Sequence, residues 1–276
     1  MAAVELKPES IEQSQTQLTF IGHATVLLQI GGVQLLTDPL LRNRIVHLYR
    51  HRSSGRPAPG LNVDAVLISH LHFDHLDLPS LRRLGYSTRL IVPRGAAKLL
   101  AKFKQVEELG VGESTTVGPV TITATYAKHD RRRHRFGPVA DSLGYLIDGG
   151  GHTIYFAGDT DLFPEMATLA DQLDVALLPV WGWGPTLGDG HMDPYRAAEA
   201  LQLLQPRLAI PIHWGTFHPW GIGWLMFQLL TNPPHLFVRY AERLAPDVKT
   251  HIISPGGTIA VAELLDHDRD HANNCR

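Results

Sequence analysis

The sequence predicts a layered α/β domain in which short strands alternate with helices. The main observations are two glycine-centred hairpins, one in each half of the chain, and a continuous apolar run at residues 65–68. Such a run is typical of a strand that is buried on both faces. Because strands and helices alternate within each half, we expect sheets with helices on their outer faces.

Each predicted hairpin leads into a turn that contains an aspartate. The first hairpin spans residues 26–36, turns at two adjacent glycines and leads to Asp38. The second spans residues 143–156, turns at three glycines and leads to Asp159. The two halves of the chain are therefore predicted to be built alike.

Helices are predicted at residues 95–103, at Pro194–Leu204 and at residues 222–230. Asp193 is predicted to cap the second helix, because an aspartate before a proline is a common helix start. Residues 41–61 are rich in Arg, His, Gly and Pro and show no period. We predict a long surface loop there.

The length of 276 residues accommodates one large domain or two small ones. We divide the chain into a lead segment at residues 1–17, one folded domain at residues 18–265 and a polar tail at residues 266–276. No low-complexity segment interrupts the folded part.

Charge and composition exclude several classes of protein. A net charge of -2 and a pI near 6.8 give no overall field that would hold nucleic acid or an anionic membrane. Cys275 is the one cysteine, so neither an intramolecular disulfide nor a cysteine-ligated metal site is possible. No apolar run reaches membrane-spanning length and no secretory signal pattern is present. We therefore expect a cytoplasmic protein with no transmembrane segment.

The strongest chemical pattern follows the apolar run at residues 65–68. His70, His72, Asp74 and His75 stand within six residues. Without cysteine, imidazole and carboxylate are the ligands that suit zinc and its first-row neighbours. Functional residues often follow the end of a strand. We predict a metal site here, and the alternative is a polar loop with scattered histidines.

The spacing His70-x-His72-x-Asp74-His75 resembles the signature of the metallo-β-lactamase fold superfamily. The resemblance extends from about residue 18 to residue 257. It implies an α/β fold of the αββα sandwich type, with two metal ions at the edge where its halves meet.

The resemblance also implies further ligands, each through the local motif that it matches. His129 is similar to the third histidine of the first metal, and His134 is the alternative. Asp159 is similar to the carboxylate that bridges both metals, unless it only caps the helix that follows. His213 is similar to the last histidine of the second metal, unless it is an ordinary core histidine.

Two divalent metal ions are therefore implied, with zinc expected and manganese or iron as alternatives. Two cations lower the pKa of a bridging water, so a metal-bridging hydroxide is the predicted nucleophile. The ligands would be His70, His72 and His129 on one metal, Asp74, His75 and His213 on the other, and Asp159 between them.

Four further phrases, at residues 20–25, 36–39, 191–194 and 213–216, resemble one branch of the superfamily. That branch contains N-acyl phosphatidylethanolamine phospholipase D and the ascorbate-6-phosphate lactonase. It implies a role for His191 in substrate binding or proton transfer, unless this histidine merely neighbours a helix cap. We predict Asp74 and His191 as catalytic residues.

Several other residues have two interpretations. Asp38 and Asp77 could orient ligand imidazoles or could cap turns. His23 could face the site or could be a buried histidine, and we leave it out of the catalytic set. Trp181 and Trp183 could wall the pocket or pack in the core.

The basic run from Arg131 to Arg135 lies beside the predicted ligand His129. Guanidinium groups bind phosphate oxygens in pairs, so the run could recognise a phosphate-bearing substrate. It could equally be a solvated loop.

The leading functional prediction is a metal-dependent hydrolase that acts on a phosphodiester-type substrate, in the manner of a phospholipase D. The substrate would be a small or lipid-derived molecule. The alternative on the same site is a lactonase or carboxylic-ester hydrolase, and the alternative of another class is a non-catalytic metal-binding or sensing module. No broad basic surface is visible, so we expect no nucleic-acid partner. The sequence does not predict the oligomeric state.

Overall fold

The structure is a computed structural model, and it describes residues 15–51, 61–169 and 171–265. Most of the predicted lead segment at residues 1–17, and the whole predicted tail at residues 266–276, lie outside the described residues. The division of the chain into these three parts therefore stays a prediction.

The described residues form many strands and few helices, and the predicted alternation is wrong for most of the chain, since six strands precede the first α-helix. The strands are β1 (Gln17–Gly22), β2 (Thr25–Ile30), β3 (Val33–Thr37), β4 (Arg44–Ile45), β5 (Leu48–Arg50), β6 (Ala65–Leu67), β7 (Arg89–Pro93), β8 (Gln105–Leu109), β9 (Ser114–Val117), β10 (Val120–Tyr126), β11 (Leu143–Gly149), β12 (His152–Phe156), β13 (Val175–Pro179), β14 (Leu208–Ile212), β15 (Phe217–Pro219), β16 (Lys249–Thr250) and β17 (Thr258–Ala260). The α-helices are α1 (Leu78–Leu84), α2 (Pro194–Leu204), α3 (Phe227–Thr231) and α4 (Pro233–Leu244).

The strands form two large sheets of seven strands each. The first has the order β17-β1-β2-β3-β6-β7-β8, and the second has the order β16-β14-β13-β12-β11-β10-β9. Strands β3, β6, β7 and β8 are parallel in the first sheet, and β12, β13, β14 and β16 are parallel in the second. The loops that follow such parallel strands leave the sheet at one edge, which is where open α/β sheets bind ligands.

The main core lies between the two sheets, and the helices cover their outer faces. Phe20 and Leu28 of the first sheet and Tyr145 and Phe156 of the second belong to one fully buried cluster. Helices α2 and α4 pack on the second sheet, while Leu81 of α1 packs on the outer face of the first. The predicted αββα sandwich is therefore confirmed. Within the described residues no helix is long and apolar enough to cross a membrane.

Both predicted hairpins are confirmed, and their turns touch each other. Strand β2 pairs with β3 through Gly31 and Gly32, at φ 56° and 80°, and β11 pairs with β12 through Gly150 and Gly151, at φ 56° and 76°. Glycine adopts such positive φ angles without strain. A Cβ on Gly150 would stand 2.9 Å from the backbone nitrogen of Gly31. The two glycine turns thus allow the two halves to meet closely.

One of the three predicted helices is confirmed in full. Helix α2 spans Pro194–Leu204, and the side chain of Asp193 accepts a hydrogen bond from the backbone N–H of Arg196 at 2.8 Å. The other two helices are much shorter than predicted. Residues 95–103 contain only a 3-10 turn at Ala97–Leu100, since the next strand begins soon after it.

The predicted helix at residues 222–230 is also wrong in its extent, because α3 begins only at Phe227. Gly221 and Gly223 precede it, and glycine weakens a helix. Helix α4 was not predicted, because two prolines stand at its start. Proline is nevertheless well suited to the first turn of a helix, where its missing N–H has no partner to lose.

The predicted long loop at residues 41–61 is wrong in its described part. It contains strands β4 and β5, which form a three-stranded sheet with β15. Ile45 and Leu48 bury their side chains against Phe217, which lies far away in sequence. The pairing of β5 with the distant β15 leaves no periodic pattern within residues 41–61. Residues 52–60 lie outside the described part of the chain.

We expect Tyr145→Phe to lower the free energy of unfolding by about 1 to 3 kcal/mol. The buried Tyr145 hydroxyl donates to the backbone carbonyl of Ile68 at 2.7 Å and so joins the second sheet to the end of the first sheet's β6 run. Urea denaturation measures the effect. The control Tyr195→Phe removes a hydroxyl from a half-exposed side chain and should change the stability by less than about 0.5 kcal/mol. Equal effects of the two changes would contradict this role.

Candidate metal centre

The predicted site residues meet at one edge of the sandwich. They lie on separate loops, most of which follow strands of the two sheets: Asp38 after β3, His70 to His75 after β6, His129 after β10, Asp159 after β12, His191 before α2, and His213 after β14. The topology therefore brings together residues as far apart in the chain as Asp38 and His213.

Backbone hydrogen bonds and one arginine hold the loop that contains His70, His72, Asp74 and His75. The N–H groups of His75 and Leu76 both bond to the carbonyl of His72, which closes a tight turn. The buried Arg133 guanidinium donates to the carbonyls of Leu71, at 2.6 Å, and of Leu76, at 3.2 Å. The turn therefore projects its side chains in a fixed arrangement.

The first group of metal-binding atoms consists of three imidazole nitrogens. Nε2 of His70 lies 2.9 Å from Nδ1 of His72, and Nε2 of His129 lies 3.0 Å from the same nitrogen. These three atoms lie within 4.8 Å of one another. They could hold one cation.

The hydrogen bonds at the far side of these rings fix where their protons are. His129 donates through Nδ1 to the carbonyl of Gly190 at 2.8 Å. The Ser69 hydroxyl gives its proton to Asp38, so it accepts one from Nδ1 of His70. In their neutral forms His70 and His129 therefore both point a lone pair at His72, which can satisfy only one of them.

The second group lies on the other side of His70. Nε2 of His75 and Nε2 of His213 are 3.1 Å apart, and Asp74 approaches His75 at 3.9 Å. Nδ1 of His213 donates to the carbonyl of Trp181 at 2.7 Å, so Nε2 of its neutral ring is a lone pair. The group is completed by His23, whose Nε2 lies 3.0 Å from Asp74.

Asp159 lies between the two groups. One of its oxygens is 3.2 Å from Nε2 of His75, and the other, Oδ1, is 3.3 Å from Nε2 of His213. Oδ1 is buried and has no hydrogen-bond partner among the described residues. Two acceptor atoms therefore face each other here with no proton between them. Asp159 does not cap a helix, because the next helical turn begins only at Pro164.

The charges of the site favour metal binding as well. Burial lowers the pKa of His129 to about 4 and that of His213 to about 3, so both rings are neutral and able to bind a metal. Burial raises the pKa of Asp159, but the neighbouring imidazoles of His213, His75 and His191 outweigh burial and hold this pKa well below its usual range. The carboxylate is therefore ionised.

His75 shows how strongly the site attracts positive charge. Burial lowers its pKa, but the charges of Asp159, Asp38 and Asp74 outweigh burial and raise the pKa well above the usual value. In the chain alone a proton on His75 thus balances these carboxylates. A divalent cation would supply that charge instead, and metal binding of this kind releases protons. The residues therefore fit a metal centre.

The buried Asp38 fixes the orientation of a predicted ligand, His75, and of Ser69. Its Oδ1 accepts from the backbone N–H of Ser69 at 2.7 Å, and its Oδ2 accepts from the Ser69 hydroxyl at 2.5 Å and from Nδ1 of His75 at 2.7 Å. Of the two interpretations of Asp38, the structure supports the orienting one. Asp77 has the other role, since it caps α1 and pairs with Arg42.

His23 faces the site, although the sequence analysis did not include it among the catalytic residues. Its ring is buried, lies 3.9 Å from the ring of His213 and contacts Asp74. His23, Asp38 and His213 all adopt positive φ, at 58°, 34° and 62°. Non-glycine residues rarely adopt this conformation, and such strain gathers at functional sites. No pattern in the sequence indicates backbone strain of this kind.

The positions of the side chains decide between the remaining interpretations of His134, the two tryptophans and the basic run. His134 is exposed and stacks near Phe73, outside the two groups, whereas His129 is inside them. Trp181 packs against the main core, while Trp183 lines the pocket beside the metal centre. In the basic run, Arg131 pairs with Asp141, and Arg133 is occupied by backbone carbonyls.

A pocket of about 320 Å³ opens onto the metal centre. Four residues of the predicted site line it, namely His72, Asp74, Asp159 and His191, and so does Arg133. The turn between β4 and β5 supplies much of the remaining wall, together with Phe73 and Trp183. The structure thus gathers all seven predicted ligands and His191 beside one pocket, and their individual roles stay predictions.

The family model described as the beta-lactamase superfamily domain matches residues 34–214. This range includes both groups of metal-binding atoms except His23. The sandwich and its histidine-rich edge therefore define a protein of the metallo-β-lactamase superfamily.

Known relatives narrow this assignment. The chain is 30% identical over 247 residues to a UPF0173 metal-dependent hydrolase of Methanopyrus kandleri, covering 87% of this chain and 97% of the relative. It is 34% identical to one of Pyrococcus furiosus, covering 74% and 86%. The solved structure of Igni18, a metallo hydrolase of Ignicoccus hospitalis, matches with a TM-score of 0.66 at 25% identity, covering 89% and 97%. The chain belongs to the UPF0173 metal-dependent hydrolase family, and its resemblance to the phospholipase D and lactonase branch stays a prediction.

We expect Asp38→Asn to lower the affinity for zinc by about 10- to 100-fold while the chain still folds. An amide has one acceptor oxygen, so it cannot serve Ser69 and His75 together as the carboxylate does. Competition with a chromogenic chelator measures the affinity. Asp148→Asn, at an exposed position of β11, is the matched control and should leave the affinity unchanged. An Asp38→Asn protein with the affinity of this control would refute the orienting role.

Proposed function

We propose that this protein is a dinuclear metal-dependent hydrolase. The observation behind the proposal is that Asp159 lies within metal-binding range of members of both groups, and that both groups contribute residues to one pocket. The proposed ligands are His70, His72 and His129 for one metal, Asp74, His75 and His213 for the other, and Asp159 for both. When bound, the two cations would lower the pKa of water and polarise the bond to be cleaved.

His191 is the proposed proton donor. Its Nδ1 donates to the carbonyl of Gly188 at 3.1 Å, and its Nε2 lies 3.3 Å from Asp159. Burial lowers the pKa of His191, but the hydrogen bond to Asp159 and the charge of Asp159 outweigh burial and raise this pKa to about 9. The side chain is 23% exposed and lines the pocket. A proton at Nε2 would therefore be available to a leaving oxygen.

A phosphodiester-type substrate is the class that we propose first. Arg133 places a positive charge at the side of the pocket, and two backbone carbonyls hold the guanidinium in place. A fixed cation beside the metal centre favours a substrate with a negative charge near the bond to be cleaved. The other arginines of residues 131–135 are exposed and do not line the pocket.

A lactone or carboxylic ester is the second candidate, and the apolar walls of the pocket favour it. Ile45, Val46, Leu48, Phe73 and Trp183 line a large part of this surface. Such walls suit the hydrocarbon part of a neutral substrate, or the acyl part of a lipid-derived one.

A substrate panel separates the two candidates. We expect turnover of bis(p-nitrophenyl) phosphate by the zinc-loaded protein and little opening of simple lactones. The reverse pattern would assign the lactonase or esterase reaction instead. Two bound metals without turnover of any ester would contradict the hydrolase and favour a metal-binding or sensing module.

Two variants test the proposed division of roles. We expect Asp74→Ala to lose metal as well as rate, because it removes a ligand. We expect His191→Ala to keep both metals but to lose about 100-fold or more in kcat. Elemental analysis and steady-state kinetics measure the two effects, and His235→Ala, on the exposed side of α4, is the control. Loss of metal from His191→Ala, or normal kcat in that variant, would refute the assignment.

A further inference from the structure

An exposed apolar segment follows β15, outside the metal centre. We call residues 220–227 the tryptophan loop. Its most exposed apolar side chains are Trp220 (75%), Trp224 (77%), Leu225 (62%), Phe227 (56%) and Ile222 (37%). So many exposed apolar side chains within eight residues are unusual on a soluble surface and mark an interaction site.

The backbone of the tryptophan loop is ordered, so this exposure is a property of its fold. The N–H groups of Leu225 and Met226 bond to the carbonyl of Ile222, and the Met226 side chain is buried. A Cβ on Gly223 would stand 2.6 Å from the ring of His218, so the loop folds back closely on β15. The buried methionine anchors the loop while its large neighbours face outwards.

The apolar surface continues to the mouth of the pocket. The backbone N–H of Trp220 donates to the carbonyl of His47 at 3.0 Å, in the turn between β4 and β5. The preceding residue in that turn, Val46, is 61% exposed and lines the pocket. Its φ of 47° is costly for a β-branched residue, where asparagine or glycine would avoid the strain. An exposed valine at this position needs a reason other than stability.

The two stretches of chain that form this surface carry positive but no negative side chains. The described stretches 39–51 and 213–241 contain no aspartate or glutamate. Arg44 is exposed and forms no ion pair with the residues that the structure describes. Arg44 is therefore an unbalanced positive charge on the turn that contacts Trp220.

We propose that the tryptophan loop and Val46 dock on the surface of an anionic phospholipid membrane. Tryptophan rings favour the boundary between lipid headgroups and acyl chains, and an exposed arginine is attracted to anionic headgroups. A second copy of this chain is a poorer occupant. A two-fold contact would bring two surfaces of the same positive charge together. Docking in this way would turn the mouth of the pocket towards the lipid.

Vesicle binding by the full chain tests this inference, and the test does not depend on catalysis. We expect the protein to co-sediment with mixed phosphatidylglycerol and phosphatidylcholine vesicles, with a blue shift of its tryptophan emission. Binding to pure phosphatidylcholine should be much weaker. The combined variant Trp220→Ser and Trp224→Ser should bind at least ~10-fold more weakly, because it loses both interfacial rings.

The charge and the control variants make the test specific. Arg44→Glu should weaken binding to the anionic vesicles by about 5-fold or more. Tyr86→Ser and Arg82→Glu change an exposed ring and an exposed arginine in and beside α1, far from the loop in sequence, and should bind like the unchanged protein. Circular dichroism verifies that every variant folds.

Three results would overturn the inference. The first is absence of binding to either vesicle. The second is equal binding to charged and neutral vesicles. The third is a dimer in sedimentation velocity that the double tryptophan variant abolishes without any vesicle binding, which would assign the surface to a second copy.

Discussion

Nε2 of His213 and Oδ1 of Asp159 are 3.3 Å apart, both buried, and in the neutral ring neither has a hydrogen to offer the other. Such a contact is repulsive unless a positive charge stands beside it. The Nε2 lone pairs of His70 and His129 likewise both face Nδ1 of His72, which has at most one hydrogen to donate. The need for positive charge beside these contacts is the constraint on which the rest of the site depends. In the chain alone a proton on His75 supplies part of that charge.

The surrounding fold holds these mutually repelling side chains close together. The two sheets deliver their loops to one edge, and the orienting bonds from Asp38, Ser69, Gly190 and Trp181 fix the rings from behind. Three residues at this edge accept a left-handed backbone, which costs stability. The packing of the core between the sheets offsets this loss of stability, because the core contacts do not involve the site residues.

Local patterns predicted a large part of the fold and of the site. Glycine pairs fixed the hairpins, Asp193 and Pro194 fixed the start of α2, and the spacing after β6 indicated the metal centre. Features that depend on contacts between distant residues could not be predicted from local patterns. His23 reaches the site because its N–H bonds to Thr216 and its carbonyl accepts from His213, almost two hundred residues away. Strand β5 likewise pairs with the distant β15, and β4 joins that small sheet through β5.

Anomalous X-ray diffraction from crystals of the zinc-loaded protein, recorded at the zinc absorption edge, tests the central claim most directly. The account predicts two separate peaks, one among His70, His72 and His129 and the other among Asp74, His75 and His213, with Asp159 touching both. A single peak outside these groups, or a structure in which the rings rotate away from one another and bind no metal, would contradict it.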